Sequence, residues 1–200
     1  MPPTDPPDPA GATSRTLLQR AVARDPDAWQ RLVHLYRPLV ISWCLRAGVR
    51  FDDADDVAQE VFRAAVGRLP DFRRDRPGDT FRGWLRAIAR NQAIVHHRRG
   101  RGPAAAGGST AHLVLSAVPD PVPPDEDDDP QAEVSALYRR ALELVRGEFE
   151  GRTWDMFWQV VVDNRPTDEV ATAFGVTAAA VRQAKARVLR RLKEEVGDAL

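Results

Sequence analysis

A chain of 200 residues, 43% hydrophobic and 29% charged, is long enough for one large or two small packed domains and too apolar to be a disordered tail throughout. Its 29 basic and 29 acidic residues cancel to a formal net charge of +0, which excludes a uniformly basic nucleic-acid binder and leaves open one with segregated charge. The single cysteine, Cys44, excludes an intramolecular disulfide and a cysteine-rich zinc site, so a reducing cytoplasm is the expected compartment.

Residues 1–13 are rich in Pro and Asp and read as a disordered tail, with neither the apolar core nor the basic flank of a signal peptide. A first helix is expected over Ser14 to Arg24, with Leu17, Leu18, Ala21 and Val22 on one face. Asp25-Pro26-Asp27 has the form of an N-cap followed by proline in the first turn. It should start a long helix whose apolar stripe runs through Trp29, Leu32, Val33, Tyr36, Val40, Trp43 and Cys44, ending near Gly48. The next segment repeats the pattern. Ala54, Val57, Ala58, Val61, Phe62, Ala65 and Leu69 face inward, while Asp55, Asp56, Gln59, Glu60 and Arg63 face outward.

A loop over Pro70 to Asp79 leads to a fourth helix, about Thr80 to His97, with Phe81, Trp84, Leu85, Ile88, Gln92 and Val95 as its stripe. Its other faces hold Arg82, Arg86, Arg90, Arg98, Arg99 and Arg101, with no acid between Phe81 and Gly102. Residues 102–130 are first Gly/Ala-rich and then Pro-rich and acidic, the composition of a flexible linker, interrupted by a short apolar piece from His112 to Val118. A second helical domain follows over 131–200. Val134, Leu137, Tyr138, Ala141, Leu142 and Val145 mark one helix; Trp154, Phe157, Trp158, Val161 and Val162 mark another. No strand-like alternation and no membrane-length apolar run competes, so the expected fold is all-α, two helical domains joined by a linker, without membrane insertion.

The last segment carries the sharpest local grammar. Pro166 and Thr167 open a short helix with Val170, Ala171 and Phe174 inward, Gly175 supplies a left-handed turn, and Thr177 caps a second helix with Val181, Ala184, Val188 and Leu192 inward. This is a helix-turn-helix. Ala178, Ala179 and Ala180 permit close approach to a major groove, and Arg182, Gln183, Lys185, Ala186 and Arg187 are candidates for base or phosphate contact. Arg190 and Arg191 lie further along, where phosphate contact is expected. A helical hairpin with a solvated basic face is the plainer alternative, and a helix-turn-helix by itself fits a repressor equally well.

Two further segments separate those readings. DDADDVAQEVFRAAVGRLPDF and GDTFRGWLRAIARNQAIVHHRRGRG, in that order and ahead of the helix-turn-helix, resemble the first domain of the extracytoplasmic-function (ECF) group of the sigma-70 family of RNA polymerase sigma factors. The resemblance runs over about Leu17 to Arg101 and again over Ala136 to Val196. It implies a subunit that binds core RNA polymerase and directs promoter recognition, DNA melting and transcription initiation. It implies contact of Asp55, Asp56, Gln59, Glu60 and Arg63 with the β′ clamp helices, and a second polymerase contact at the β flap. The −10 element would meet Arg76, Thr80, Phe81, Trp84, Arg90, Asn91, Arg98 and Arg99; the −35 element would meet Thr177, Ala178, Ala179, Arg182, Gln183, Lys185, Ala186, Arg187 and Arg190.

The chemistry agrees, since melting a promoter calls for aromatics that stack on splayed bases and cations that hold phosphates. Trp84 also lies on the apolar stripe, so core packing and DNA contact are both open for it. The loop Arg73 to Thr80 matches the family's pocket for a flipped-out base and reads equally as a solvated connection. The acidic run Asp120 and Asp125 to Asp129 lies where the family's linker threads toward the polymerase active-site cleft and RNA exit path. An anti-sigma factor is a further candidate partner. The stretch GEFEGRTWDMFWQVVVDNRP, rich in tryptophan, departs from the Leu-Pro-rich turn of many members and resembles a divergent branch. No regulatory module is expected after Leu200.

No enzyme is expected. The adjacent His96 and His97 point to different sides of a helix, Asp52, Asp53, Asp55 and Asp56 lack calcium-loop spacing, and neither a phosphate-binding glycine loop nor a nucleophile elbow occurs. Neither a cofactor nor a metal is expected. The alternatives to a sigma factor are a stand-alone helix-turn-helix regulator and a sequestering protein-interaction module.

Overall fold

The computed structural model describes residues 16–73, 80–100 and 129–196. The N-terminal tail, the loop with Arg76, and the linker with His112 to Val118, Asp120 and Asp125 to Asp128 lie outside the described residues. Among the described residues all regular structure is helical. The elements are α1 (Thr16–Val22), α2 (Pro26–Arg46), α3 (Phe51–Arg68), a 3-10 turn (Leu69–Asp71), α4 (Phe81–Gly100), α5 (Pro130–Arg146), α6 (Gly151–Val161), α7 (Thr167–Phe174) and α8 (Ala178–Val196). The chain divides into two compact units, one holding Leu18–Ser135 and the other Ala136–Gly197.

In the first unit α2, α3 and α4 pack against one another. Asp25 starts α2 by accepting hydrogen bonds from the backbone N–H groups of Asp27 (2.9 Å) and Ala28 (3.4 Å), with Pro26 at the first position where its missing N–H costs nothing. The α2 chain stops at Arg46, and Gly48 turns it at φ +84°. Helix α3 buries its expected stripe, Ala54, Val57, Ala58, Val61, Phe62 and Ala65, and Asp52 and Asp53 sit in its first turn where the helix dipole favours anions. Thr80 opens α4: its Oγ1 accepts from the Gly83 N–H at 3.0 Å. Leu85, Ile88 and Val95 face the core, while Gln92 is only half-buried at the edge of the stripe. Val22, expected inward, is exposed, because α1 ends there and turns through Arg24 at φ 60°. What ties α1 to α2 is the Trp29 indole, donating to the Ala21 carbonyl at 2.9 Å.

The second unit is built around the helix-turn-helix. Met156 of α6, Val170 and Ala171 of α7, and Val181 and Ala184 of α8 form its inner cluster, with Val160, Phe174, Val176 and Ala178 packed against it. Gly175 takes the left-handed conformation (φ 61°, ψ 39°) that ends α7, a region where a side chain is strained. Thr177 caps α8, its hydroxyl accepting from the Ala180 N–H at 3.2 Å. The expected α6 stripe is corrected at its C-terminal end. Trp158 is 39% and Val162 46% exposed, and Met156 takes the inward position instead. The helix closes after Val161, so its last turn has less of the core left to cover.

Candidate polymerase and nucleic-acid surfaces

The outer face of α3 presents Asp55, Asp56, Gln59 and Arg63 to solvent, with Glu60 half-buried. These side chains are not equivalent. Asp55 accepts a hydrogen bond from Arg37 of α2 at 2.9 Å, and Glu60 pairs with Arg63 one turn on. Asp56 and Gln59 line a groove shared with Gln92, His96 and Arg99 of α4, and His96 approaches Asp53 at 3.4 Å. The α3 face and the C-terminal half of α4 thus border one depression, acidic on one wall and basic on the other.

On α4 the structure brings Arg90, Arg98 and Arg99 to the surface and leaves Asn91 half-buried. It corrects the assignment of the two aromatics. Phe81 and Trp84 are each 1% exposed and belong to the core. Phe81 meets Tyr36 edge-on with ring centroids 5.1 Å apart; Trp84 lies 5.5 Å from Phe81 and 5.2 Å from Phe72. Burying a side chain of this size is worth about 1.5–3 kcal/mol. Neither ring stacks on a base while this packing holds. Thr80 is engaged as the helix cap.

The arginine face of α4 also has an acidic partner that its own sequence does not reveal. Glu133, in the first turn of α5 and within the same compact unit, is only 6% exposed. Its Oε1 accepts from the Trp43 indole Nε1 at 2.7 Å and from Arg46 at 2.9 Å. Arg86 approaches the same oxygen at 3.4 Å and Arg82 reaches Oε2 at 3.5 Å. Arg82 also donates to the Pro130 carbonyl at 3.0 Å, and the Arg86 guanidinium lies over the Trp43 ring, 5.4 Å from its centroid. In the sequence Glu133 reads as an ordinary first-turn acid complementing a helix dipole. Only the meeting of α2, α4 and α5 turns it into a buried acceptor.

On α8 Ala179, Arg182, Gln183, Ala186, Arg187 and Arg190 are exposed, as are Leu189 and Lys193, with Lys185 half-buried. Ala178 is corrected from outer face to core edge, since it packs on the inner cluster. Arg191 is corrected as well. It donates to Glu148 at 2.6 and 2.9 Å and to Glu195 at 2.6 Å. Burial lowers the pKa of its guanidinium, but the hydrogen bonds to Glu148 and Glu195 outweigh burial and the net shift is upward. Cys44 is inert: burial pushes its thiol up to about 11. Among the described residues no group of His, Cys, Asp and Glu converges as a metal site requires, and no helix is long and apolar enough to cross a membrane.

A three-helix unit with an acidic outer helix and a basic one, followed by a unit with a capped helix-turn-helix, is the arrangement of a transcription factor with more than one docking surface. Comparison with known proteins narrows this. Residues 32–102 match the family model for Sigma-70 region 2. Over 187 residues the chain is 32% identical to the ECF RNA polymerase sigma factor SigD of Mycobacterium bovis and of two strains of Mycobacterium tuberculosis, covering 90% of this chain and 82% of each relative. A solved structure, that of CnrH in complex with the cytosolic domain of CnrY, aligns over 90% of this chain and 95% of its own, at 23% identity and a TM-score of 0.37. The chain belongs to the ECF sigma factors, and its role is in transcription initiation. Sigma factors are DNA-binding initiation factors rather than enzymes.

Proposed function

We propose that the described surfaces divide the work of a promoter-reading polymerase subunit. Asp56 and Gln59 of α3, with Glu60 and Arg63 beside them and Asp55 held by Arg37, dock on the β′ clamp helices of core RNA polymerase. Arg90, Asn91, Arg98 and Arg99 of α4 meet the −10 strand. Arg182, Gln183, Ala186, Arg187 and Arg190 of α8, with Ala179 at its start, enter the major groove of the −35 element. The second unit also carries the β-flap contact, and the acidic linker follows the polymerase cleft. An anti-sigma factor competes for the polymerase-binding surfaces, and the protein works in the cytoplasm beside its polymerase.

The observation that carries this reading is the exposure pattern of α8. Thr177 caps the helix, Val181, Ala184, Val188 and Leu192 are buried, and Arg182, Gln183, Ala186, Arg187 and Arg190 all remain outside. A guanidinium next to small side chains can reach a guanine edge, and cations further along position the helix on phosphates. The test is run-off transcription from genomic fragments with core polymerase and this protein, followed by start-site mapping. Starts that share −35 and −10 sequences and require both proteins are expected. Site-specific, tight DNA binding without polymerase, and no run-off product with it, would overturn the reading in favour of a stand-alone regulator.

A further inference from the structure

Helix α7 ends on a set of hydrogen bonds that a side chain from another helix completes. The Val176 N–H donates to the Ala171 carbonyl at 3.0 Å and the Gly175 N–H to the Thr172 carbonyl at 3.2 Å, the pattern of a helix closed by a left-handed residue. The Phe174 carbonyl accepts from Nη2 of Arg152, in the first turn of α6. We infer that Arg152 is a positioning residue of the −35 reader: by holding the Phe174 carbonyl it fixes the turn from which α8 starts, and so the place of the base-facing residues at the head of that helix. The inference rests on the reading of α8 as the −35 helix. It adds a residue that lies outside the helix-turn-helix and acts on the bases only through it.

The place of Arg152 makes sense only across the gap between two helices. A cation in the first turn of α6 faces the positive end of that helix's dipole, so Arg152 is poorly placed for α6 itself. The same guanidinium suits α7, whose C-terminal carbonyls favour a cation. On its outer side the turn has little else to brace it. Gly175 is exposed at φ 61°, and among the described residues no atom beyond its chain neighbours lies within 4 Å of where a side chain would begin. On the inner side Phe174 and Val176 pack against the inner cluster of the unit. Phe174 is thus held at its ring by the core and at its carbonyl by Arg152.

What is held there sets the head of α8. Thr177 follows the turn and caps α8 through the Ala180 N–H at 3.2 Å, and the exposed Ala179 and Arg182 come next. At 1.5 Å per residue Arg182 stands about 7.5 Å along the axis from Thr177. A tilt of about 10° at Thr177 moves it by about 1.3 Å, more than the ~0.5 Å within which a binding constellation must be held. Arg152 is exposed, so its hydrogen bond is made in competition with water and adds little to the stability of the unit. Burial of Val181, Ala184, Val188 and Leu192 supplies that stability. The guanidinium supplies alignment of the first turn.

The experiment uses the full chain with core polymerase. Promoter selection with the wild type defines the preferred −35 sequence, and holoenzyme binding is then measured on that sequence, on −35 variants and on unrelated DNA across a salt series. Arg152→Met keeps the aliphatic stem and removes every donor. It is expected to lower the ratio of specific to non-specific binding about tenfold, toward the lower end of what one base contact is worth. Its urea midpoint and salt slope are expected to match the wild type. Arg152→Lys, which keeps one donor for the carbonyl, is expected to restore the ratio. A Lys variant as unselective as Arg152→Met overturns the inference. So does equal weakening on every sequence with a salt slope reduced by about 0.9, which would make Arg152 a phosphate contact. An Arg152→Met protein that unfolds, or melts well below the wild type, makes Arg152 a stability element and overturns it too. The wild type separates the two readings. A wild type that selects a −35 sequence, with Arg152→Met selecting it as sharply, removes this inference alone. A wild type that selects none removes the reading of α8.

Discussion

Arg191 near the end of α8 donates two hydrogen bonds to Glu148, 43 residues earlier, at 2.6 and 2.9 Å. The same guanidinium donates to Glu195, whose side chain is only 2% exposed. By charge and position Arg191 belongs with the α8 arginines proposed to bind phosphate, yet it holds α8 to the turn after α5. Arg191→Ala should destabilise the second unit by about 1–3 kcal/mol, because it removes charge-assisted hydrogen bonds to Glu148 and to the buried Glu195. The preferred −35 sequence should stay the same. Urea unfolding followed by circular dichroism measures the first effect, and promoter selection with core polymerase measures the second. A native-like melt combined with an altered site preference would return Arg191 to the DNA surface.

On α8, Arg182 and Arg190 are both exposed but differ in place. Arg182→Ala should lower discrimination at one −35 position by about 1–3 kcal/mol, the worth of a paired guanine contact. Arg190→Ala should weaken binding on every sequence alike and flatten the salt dependence, as loss of a phosphate contact does. Holoenzyme binding to a panel of −35 variants at several salt concentrations distinguishes them, and identical behaviour of the two variants would reject the division.

For the polymerase contact the sharpest variant is Asp56→Arg with Glu60→Arg. Charge reversal on an interface costs several kcal/mol through like-charge contact and lost pairing. Titration against core polymerase should show a loss of at least about tenfold, with helix content retained. Asp55→Ala serves as a graded comparison, because Asp55 is already engaged by Arg37 in an exposed pair worth about 0–1 kcal/mol. Undiminished affinity of the double variant places the clamp contact elsewhere.

Asn91 is half-buried on α4, next to the exposed Arg90. Asn91→Ala should blur preference at a single −10 position by about 1–3 kcal/mol, whereas Arg98→Ala should weaken open-complex formation on all promoters and reduce its salt sensitivity. Permanganate footprinting on matched promoters reads both. Unaltered selectivity in Asn91→Ala would make that residue a packing element.

The cap of α2 carries a pH dependence of known sign. The Arg20 guanidinium beside Asp25, together with the backbone N–H groups of Asp27 and Ala28, holds its carboxyl below the ordinary carboxylate value against an opposing effect of burial. A depressed folded-state pKa contributes stability that is present above the unfolded value of 3.8 and is lost as pH falls through the folded pKa. Asp25→Asn keeps a capping oxygen and removes the titration. Acid unfolding below pH 3.8 should therefore be shallower in Asp25→Asn than in the wild type. Superimposable acid transitions would show that the cap carries no charge-dependent stability.

Local chemistry made much of this protein legible from its residues in order. Asp25-Pro26, Gly48, Gly175 and Thr177 each act on the backbone within four residues of themselves, so their roles as caps and turns follow from identity and spacing alone. The periodic stripes of α3 and α8 were legible for the same reason, since a 3.6-residue repeat sets a face without reference to partners. The same periodicity states which residues share a face and not how far that face is covered. Trp84 looked like either core or DNA contact, and Phe81 like a ring for the −10 strand, until Tyr36 and Phe72 closed over them, and Trp158 and Val162 looked buried until α6 ended at their edge. Glu133, 90 residues from Trp43, and Arg191, 43 from Glu148, were decided only by tertiary structure. An ion pair needs two side chains brought within a few ångströms, and no feature of either residue's neighbours records which distant helix will arrive beside it.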